Sequence, residues 1–288
     1  APHVSEVTMV TPKTLKKALV LLSKEYKIIS GGTDVIIELR KRNEPEKLLN
    51  ISQLTELKKI GKSKGEIFIG GAASVTNIIS HKAIKKHLPL LVEACSLIGS
   101  KQIRNRATLG GNIVNAAPCA DSVPPLIMYD ARVIVQSGNG LREVPVKDFV
   151  IKNYQTQIRP DEILTAIVIP IPQKKFYHNY YQLGRRNAVN ITRMSVGAMI
   201  SFNNNKQIED CRIAAGSLFD RPQRIAEIEE MLTGKILTET LINEIEIPLQ
   251  KIVDTAIGTR WSSEYKTPVF INLCKDVLKN IMGYKMNQ

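Results

Sequence analysis

The chain has 288 residues, of which 43% are hydrophobic and 23% charged, with a formal net charge of +13. This composition excludes an intrinsically disordered chain and is sufficient for two or three apolar cores. The sequence contains no apolar run close to the roughly 18 residues of a membrane span, and no basic segment followed by an apolar stretch near residue 1. We therefore expect a cytoplasmic protein.

The first region, residues 1–58, is predicted to surround a glycine loop. Its pattern predicts helices at 15–24 and 34–40 and strands at 27–30 and 48–51. The loop Ser30-Gly31-Gly32-Thr33-Asp34 joins the strand to the second helix. A glycine pair allows positive φ and lets backbone N–H groups approach an anion closely. The alternative for this loop is a plain turn followed by a helix N-cap.

The second region, residues 59–172, contains a similar loop, Thr108-Leu109-Gly110-Gly111-Asn112. Two such loops suit one pyrophosphate held from both sides. Before this loop we predict a strand at 66–70 and helices at 75–86 and 90–98. After it, strands at 132–136 and 142–146 form a hairpin, and a strand at 163–169 ends before the prolines at 170–172.

The third region, residues 173–288, is predicted to be a separate α+β lobe. Alternating apolar residues indicate a half-buried strand at 194–202, turned back by Asn203-Asn204-Asn205 onto a strand at 208–217. Helices are predicted at 223–232, 238–257 and 267–282. No G-x-G-x-x-G motif opens a βαβ unit, so we expect no Rossmann fold.

The cysteines and histidines show no spacing typical of metal ligands, and we predict no metal in this chain. The four cysteines are expected to be reduced thiols, with Cys119 a buried bystander rather than a redox residue. His81 and His87 are expected to face water within a lysine-rich helix.

The positive charge by itself is compatible with nucleic-acid binding. However, the lysine pairs are scattered along the chain, at 16–17, 58–59, 85–86 and 174–175. We favour a solvated surface, or one that docks on acidic partner subunits.

The central run from Gln102 to Ile113, followed by Ala117-Pro118-Cys119-Ala120-Asp121, resembles the FAD-binding medium subunit of the molybdenum hydroxylases. This family includes xanthine dehydrogenase, carbon monoxide dehydrogenase, and related aldehyde and heteroaromatic hydroxylases. The Ser30–Asp34 loop, Ile69-Gly70-Gly71-Ala72, Leu183-Gly184-Arg185-Arg186 and the chain length also match. The resemblance implies an α+β fold of the PCMH/VAO type. In it, two FAD-binding subdomains (1–58 and 59–172) clasp an extended FAD and precede a C-terminal domain of the CO dehydrogenase flavoprotein type (173–288).

The resemblance also implies a set of FAD contacts. In the first pyrophosphate loop, the Thr33 hydroxyl and the N–H groups of Gly31, Gly32 and Asp34 would donate to phosphate oxygens. The whole loop comprises Ile28, Ile29, Ser30, Gly31, Gly32, Thr33, Asp34 and Val35. The second loop comprises Thr108, Leu109, Gly110, Gly111 and Asn112, and would close over the other side of the phosphates.

Four further contacts follow from the resemblance. Ile98 would contact the isoalloxazine, and the backbone of Leu164 its polar edge. Asp121 would accept hydrogen bonds from ribose or ribityl hydroxyls; its alternative is the N-cap of a helix at 122–129. Gln182 stands where many members have lysine, and Asn190 where they have an acid, so flavin potential or nicotinamide handling is expected to differ.

The implied function is electron transfer, with no catalytic side chain in this chain. Electrons from hydroxylation at a molybdopterin site on a large subunit would pass through [2Fe–2S] clusters on a small subunit to this FAD, and commonly on to NAD+. The assembly would be a dimer of heterotrimers, and residues 260–266 look most like the xanthine dehydrogenase branch. Two alternatives stay open: a stand-alone flavin reductase of the UDP-N-acetylenolpyruvoylglucosamine reductase type, and a non-enzymatic nucleotide- or nucleic-acid-binding module.

Overall fold

The computed structural model describes residues 7–22, 25–41, 46–183, 194–258 and 263–287. The strands are β1 (Val7–Val10), β2 (Lys27–Ile29), β3 (Glu46–Asn50), β4 (Ile60–Ser63), β5 (Glu66–Gly70), β6 (Arg132–Ser137), β7 (Gly140–Pro145), β8 (Val150–Lys152), β9 (Gln155–Thr156), β10 (Ile163–Pro170), β11 (Tyr177–Leu183), β12 (Met194–Phe202), β13 (Ile208–Gly216) and β14 (Gln223–Arg224). The helices are α1 (Leu15–Leu22), α2 (Val35–Lys41), α3 (Val75–Ser80), α4 (Lys82–His87), α5 (Pro89–Cys95), α6 (Lys101–Arg106), α7 (Leu109–Asn115), α8 (Val123–Met128), α9 (Val146–Phe149), α10 (Ala226–Leu232), α11 (Glu239–Glu244), α12 (Glu246–Ile257) and α13 (Ser263–Met286), with a 3-10 helix at Thr55–Lys58.

Two compact units make up the chain: Ala1–Ala117 with Asp130–Ile171, and Pro118–Tyr129 with Pro172–Gln288. The mixed content of helices and strands confirms the predicted α+β class. The predicted division of the FAD-binding part at residue 58 stays a prediction.

The first unit contains three sheets. A three-stranded parallel sheet has the order β1-β3-β2, and a five-stranded antiparallel sheet has the order β4-β5-β10-β6-β7. Strands β8 and β9 form a small separate pair. Helix α1 packs its buried Ala18, Leu19 and Leu22 in one apolar cluster with Leu49 of β3. This packing places the end of β2, and the glycine loop that follows it, at one edge of a fixed sheet.

An ion pair holds the β7 end of the five-stranded sheet to the turn before β10. Glu162, only 4% exposed, accepts from Arg142 Nε at 2.8 Å and Nη2 at 3.0 Å, and from the backbone N–H of Arg159 at 2.9 Å. The hydrogen bond from Arg142 holds the pKa of Glu162 below its ordinary value of 4.5, against the effect of burial. A carboxyl with a lowered folded-state pKa stabilises the fold above its unfolded pKa, and this stabilisation is lost as pH falls through the folded value.

We therefore expect Glu162→Gln to lower the free energy of unfolding at pH 7 by about 1–2 kcal/mol, because charge-assisted hydrogen bonds are lost. The difference from the unsubstituted chain should shrink as pH falls below the ordinary carboxyl pKa of 4.5 and through the lower folded-state pKa. Urea denaturation at pH 7 and at a pH below 4.5 measures this difference, and the exposed Glu230→Gln is the matched control. An equal loss at both pH values would mean that the effect is not electrostatic.

The second unit is built on the antiparallel sheet β11-β12-β13-β14. The predicted bounds of β12 are confirmed, but its predicted half-burial is wrong, because Met194 through Ser201 are all buried. One face packs in an apolar cluster with residues of α13, including Phe270 and Val277. The other face meets α8, since a Cβ on Gly197 would lie 2.7 Å from Met128 Cε.

Several other elements differ from the sequence prediction. The predicted helix 75–86 is two helices, α3 and α4, that meet at His81, and the predicted helix 238–257 divides at Ile245 into α11 and α12. The predicted helix 223–232 starts as strand β14, whose residues pair with β13. Strands β1, β4 and β11 and helices α6 and α7 were not predicted. Short elements of this kind are fixed by pairing and packing with distant residues rather than by local propensity.

Candidate functional site

The first glycine loop lies between β2 and α2, as the sequence predicts. Gly32 has φ +75°, in the left-handed region, where a side chain would be strained. Among the residues that the structure describes, no protein acceptor is recorded for the backbone N–H groups of residues 31–34. The Ser30 hydroxyl is also buried without a hydrogen-bond partner. This loop therefore presents several donors whose acceptor is not supplied by the described part of the chain.

The second glycine loop is the beginning of helix α7. Thr108 is the N-cap, and its Oγ1 accepts from the N–H of Gly111 at 3.1 Å. The N–H of Leu109 donates to Ala73 O at 3.2 Å, and that of Gly110 to Gly71 O at 3.1 Å. The amides of this loop thus have protein acceptors, and the two loops are not equivalent as donors.

The structure brings these two loops together within the first unit. A Cβ on Gly31 would lie 2.1 Å from the carbonyl oxygen of Arg106, two residues before Thr108. Arg106 Nε in turn donates to Gly31 O at 3.3 Å. Ser74 and Thr108 form a β-bridge, and Val75 N donates to Ala107 O at 2.9 Å, so the segment is fixed from the α3 side as well. Gly31 is thus required by close packing of backbone on backbone.

Sequence reasoning missed Arg106. Its guanidinium is exposed. Among the described residues, only the Nε of this guanidinium has a recorded protein partner. A sequence signal was available, because the residue ends α6 directly before the glycine loop and carries a charge that complements a phosphate. Nothing local indicated that it contacts a loop 75 residues away.

The unsatisfied donors test whether the residues fit a pyrophosphate. A pyrophosphate carries two negative charges and accepts several charge-assisted hydrogen bonds. The Ser30 hydroxyl, the loop amides and the Arg106 cation supply such donors. The carboxylate of Asp34 carries the same sign of charge as a phosphate and would repel it, whereas its backbone N–H is suited to donate to one. The residues present fit the pyrophosphate of a dinucleotide.

Ile98 and Leu164 also belong to the first unit. Ile98 is buried, and its carbonyl accepts from Arg104 Nη1 at 3.0 Å. Leu164 is buried beside a β-bulge of β10, and a Cβ on Gly71 would lie 2.1 Å from its carbonyl oxygen. The roles proposed for these two residues toward a flavin stay predictions.

Asp121 and Gln182 meet in the second unit. The carboxylate of Asp121 is 3% exposed and accepts from Gln182 Nε2 at 3.0 Å and 2.9 Å, and from Tyr180 Oη at 3.0 Å. The N-cap position of α8 is Ser122, not Asp121. Tyr180 and Gln182 are two residues apart on β11 and so lie on one face of the strand. Sequence reasoning missed Tyr180 because it did not predict β11.

Two other predictions concern single residues. Cys119 is exposed, so its predicted burial is wrong. His81 does not simply face water: it is half-buried, and its Nδ1 is buried without a partner, because it lies at the junction of α3 and α4. Gly184, Arg185, Arg186 and Asn190 lie outside the described residues, as does the segment 259–262. Within the described ranges, no three His, Cys, Asp or Glu side chains are grouped to hold a metal ion.

No helix in the described part of the chain is both long enough and apolar enough to cross a membrane.

The two loops and their donors suit a protein that binds a dinucleotide, and comparison with known families identifies the class. Residues 5–172 match the FAD binding domain in molybdopterin dehydrogenase, and residues 179–281 match the CO dehydrogenase flavoprotein C-terminal domain. The chain belongs to the FAD subunits of the molybdenum hydroxylase family.

Individual relatives agree with this assignment. The chain is 32% identical over 286 residues to the nicotinate dehydrogenase FAD-subunit of Eubacterium barkeri, covering 94% of this chain and 96% of the relative. It is 31% identical over 276 residues to the xanthine dehydrogenase FAD-binding subunit of Escherichia coli O157:H7, covering 94% of each. A solved carbon monoxide dehydrogenase from Hydrogenophaga pseudoflava superposes with a TM-score of 0.87 at 24% identity, over 96% of this chain and 98% of that one, and shows the same fold.

Proposed function

We propose that this chain carries electrons through FAD from [2Fe–2S] clusters on a small partner subunit to an acceptor, within a complex whose large subunit holds molybdopterin. The observation that carries this proposal is the first glycine loop, where the amides of residues 31–34 and the Ser30 hydroxyl have no recorded partner among the described residues and Arg106 lies beside them. The chemistry supplied by bound FAD is the exchange of single electrons for an electron pair. The family membership makes this function preferable to a stand-alone reductase or a nucleic-acid-binding module.

The chain's own residues would bind and orient the cofactor. The first loop, residues 28–35, would hold the pyrophosphate, with donors from Ser30, Thr33 and the loop amides. Thr108 would position the second loop, residues 108–112, through its N-cap bond to Gly111. Asp121 would accept hydrogen bonds from hydroxyl groups of FAD, and Gln182 would fix the orientation of that carboxylate. Ile98 and Leu164 are proposed as contacts to the isoalloxazine.

The proposal extends to the substrate and to the electron acceptor. The resemblance of residues 260–266 to the xanthine dehydrogenase branch favours a purine substrate, whereas relatives named for nicotinate and xanthine are about equally similar to this chain. NAD+ is proposed as the acceptor, although Gln182 replaces the usual lysine and is held by Asp121. A cytoplasmic dimer of heterotrimers is the proposed assembly.

The visible spectrum of the purified chain, before and after reconstitution with FAD, tests the central proposal. We expect one FAD per chain, released as FAD rather than FMN on denaturation. Tight binding of FMN with no preference for FAD would contradict a role for the pyrophosphate loops. Co-purification with a [2Fe–2S] subunit and a molybdopterin subunit, followed by assay with xanthine and NAD+, tests the finer proposals separately.

Arg106→Gln should weaken FAD binding about 5- to 30-fold, because an exposed charge-assisted contact to phosphate contributes about 1–2 kcal/mol. The weakening should diminish at high salt, which screens an exposed charge. Fluorescence titration with FAD measures both effects. Arg159→Gln, which removes another exposed arginine of the first unit, is the matched control and should bind FAD normally. Unchanged affinity of the Arg106 variant at low salt would remove this residue from the site.

A further inference from the structure

A polar cavity that is open to solvent lies in the first unit and is lined by residues outside the glycine loops. It has a volume of about 540 Å3 and is lined by Lys58, Ile60, Asn77, Ser80, His81 and Lys82. Lys58 ends the 3-10 helix, Ile60 begins the edge strand β4, and the remaining four residues surround the junction of α3 and α4.

The lining has two cations and no carboxylate. Lys58 and Lys82 are exposed, and neither has an ion-pair partner among the described residues. The side-chain amide of Asn77 likewise has no recorded partner there, whereas the Ser80 hydroxyl already donates to the Thr76 carbonyl at 2.9 Å. The cavity therefore offers two ammonium groups and one amide to a ligand.

Further lysines extend this positive charge along the same elements. Lys86 lies one helical turn after Lys82, so both are on one face of α4. Lys62 lies two residues after Ile60, on the same face of β4. Burial lowers the pKa of His87, and the charges of Lys62 and Lys86 lower it further, so both lysines lie close enough to act on this imidazole. Neither lysine has an ion-pair partner in the part of the chain that the structure describes.

We propose that this cavity binds a small ligand carrying two or more phosphate charges. Cations gathered without carboxylates repel one another, and a multivalent oxyanion relieves that repulsion while accepting hydrogen bonds from several donors at once. A single carboxylate would leave most of the four lysine charges unbalanced. The proposal does not rest on the FAD assignment, because none of the lining residues belongs to the glycine loops.

The test is titration of the full chain with inorganic pyrophosphate at low salt, followed by calorimetry and by amide chemical shifts. We expect binding with a Kd of about 1 mM or tighter, and shifts concentrated at residues 58–62 and 77–87. The double variant Lys58→Gln/Lys82→Gln should weaken binding about tenfold or more. Both side chains are exposed, so its thermal stability should match that of the unsubstituted chain.

The matched control is Lys147→Gln/Lys152→Gln, which removes the same charge from two exposed lysines of α9 and β8. Normal binding by this control and weak binding by the double variant support the site. Equal weakening in both would show a general effect of net charge and overturn it. Shifts confined to residues 28–35 would place pyrophosphate in the FAD loop instead, and binding of a poly-glutamate peptide without binding of pyrophosphate would assign the surface to an acidic partner.

Discussion

Gly31→Ala should weaken FAD binding about 10- to 100-fold, because relief of such a steric overlap costs about 1–3 kcal/mol. The new Cβ would lie 2.1 Å from the carbonyl oxygen of Arg106, which is backbone and cannot rotate away. The first loop would have to move from the α6–α7 segment, and its amides would leave the positions from which they reach a phosphate. Fluorescence titration with FAD, with circular dichroism to verify folding, measures the effect.

Alanine substitutions at two other glycines provide comparisons for the FAD affinity of Gly31→Ala. Gly138→Ala is the matched control, because a Cβ there has no neighbour within 4 Å, and it should bind FAD normally. Gly32→Ala should have an intermediate effect, since its φ of +75° is strained for alanine while its nearest contact is the flexible Ile36 Cδ1 at 3.0 Å. A Gly31 variant that is folded and binds FAD as tightly as the Gly138 variant would show that the contact with Arg106 does not position the cofactor loop.

Asp121→Asn should lower the free energy of unfolding of the chain by about 2–4 kcal/mol, since the buried Tyr180 hydroxyl and the half-buried Gln182 amide lose a buried carboxylate acceptor. Tyr180 Oη and Gln182 Nε2 both donate to Asp121. In asparagine, an NH2 group replaces one of the two acceptor oxygens and would face these donors without accepting a hydrogen bond from them. Thermal and urea denaturation measure the loss. Asp276→Asn, on the exposed face of α13, removes the same charge and should leave stability unchanged within about 0.5 kcal/mol.

The FAD affinity of Asp121→Asn separates a structural role of Asp121 from direct contact with FAD. Tyr180→Phe also disturbs the network but keeps the carboxylate. If Asp121 binds the cofactor, Asp121→Asn should weaken FAD binding several-fold more than Tyr180→Phe does at a comparable loss of stability. Equal FAD affinity in the two variants would restrict Asp121 to holding β11 against the segment before α8.

Local sequence patterns were sufficient for many elements of the fold. Strand β5 has the predicted bounds, as does β12, and the hairpin of β6 and β7 surrounds the predicted turn. Alternation of apolar residues and turn residues act over a few neighbours, so the sequence contains their full signal. The same holds for the glycine pair at residues 31–32, which marks the loop after β2.

Burial and breaks in helices depended on distant residues. The second face of β12 is buried because α8, more than 60 residues earlier in the sequence, covers Gly197 with Met128. The predicted helix 223–232 begins instead with a strand because Gln223 and Arg224 find partners in β13. No local pattern identifies such partners. Tertiary packing overrides local propensity when a short segment can form either a helix or a strand.

For the candidate site, the sequence by itself determined the family, the two loops and the residue types that suit a pyrophosphate. Only the tertiary structure decided that the amides of residues 31–34 have no recorded acceptor in the described part of the chain, while those of the second loop are used within α7 and its neighbours. It also decided that Gly31 is needed to pass the backbone of Arg106, and that Gln182 is held by Asp121. The physical reason is that hydrogen-bond satisfaction and steric clearance belong to pairs of groups, and these pairs are separated by 61 to 75 residues along the chain.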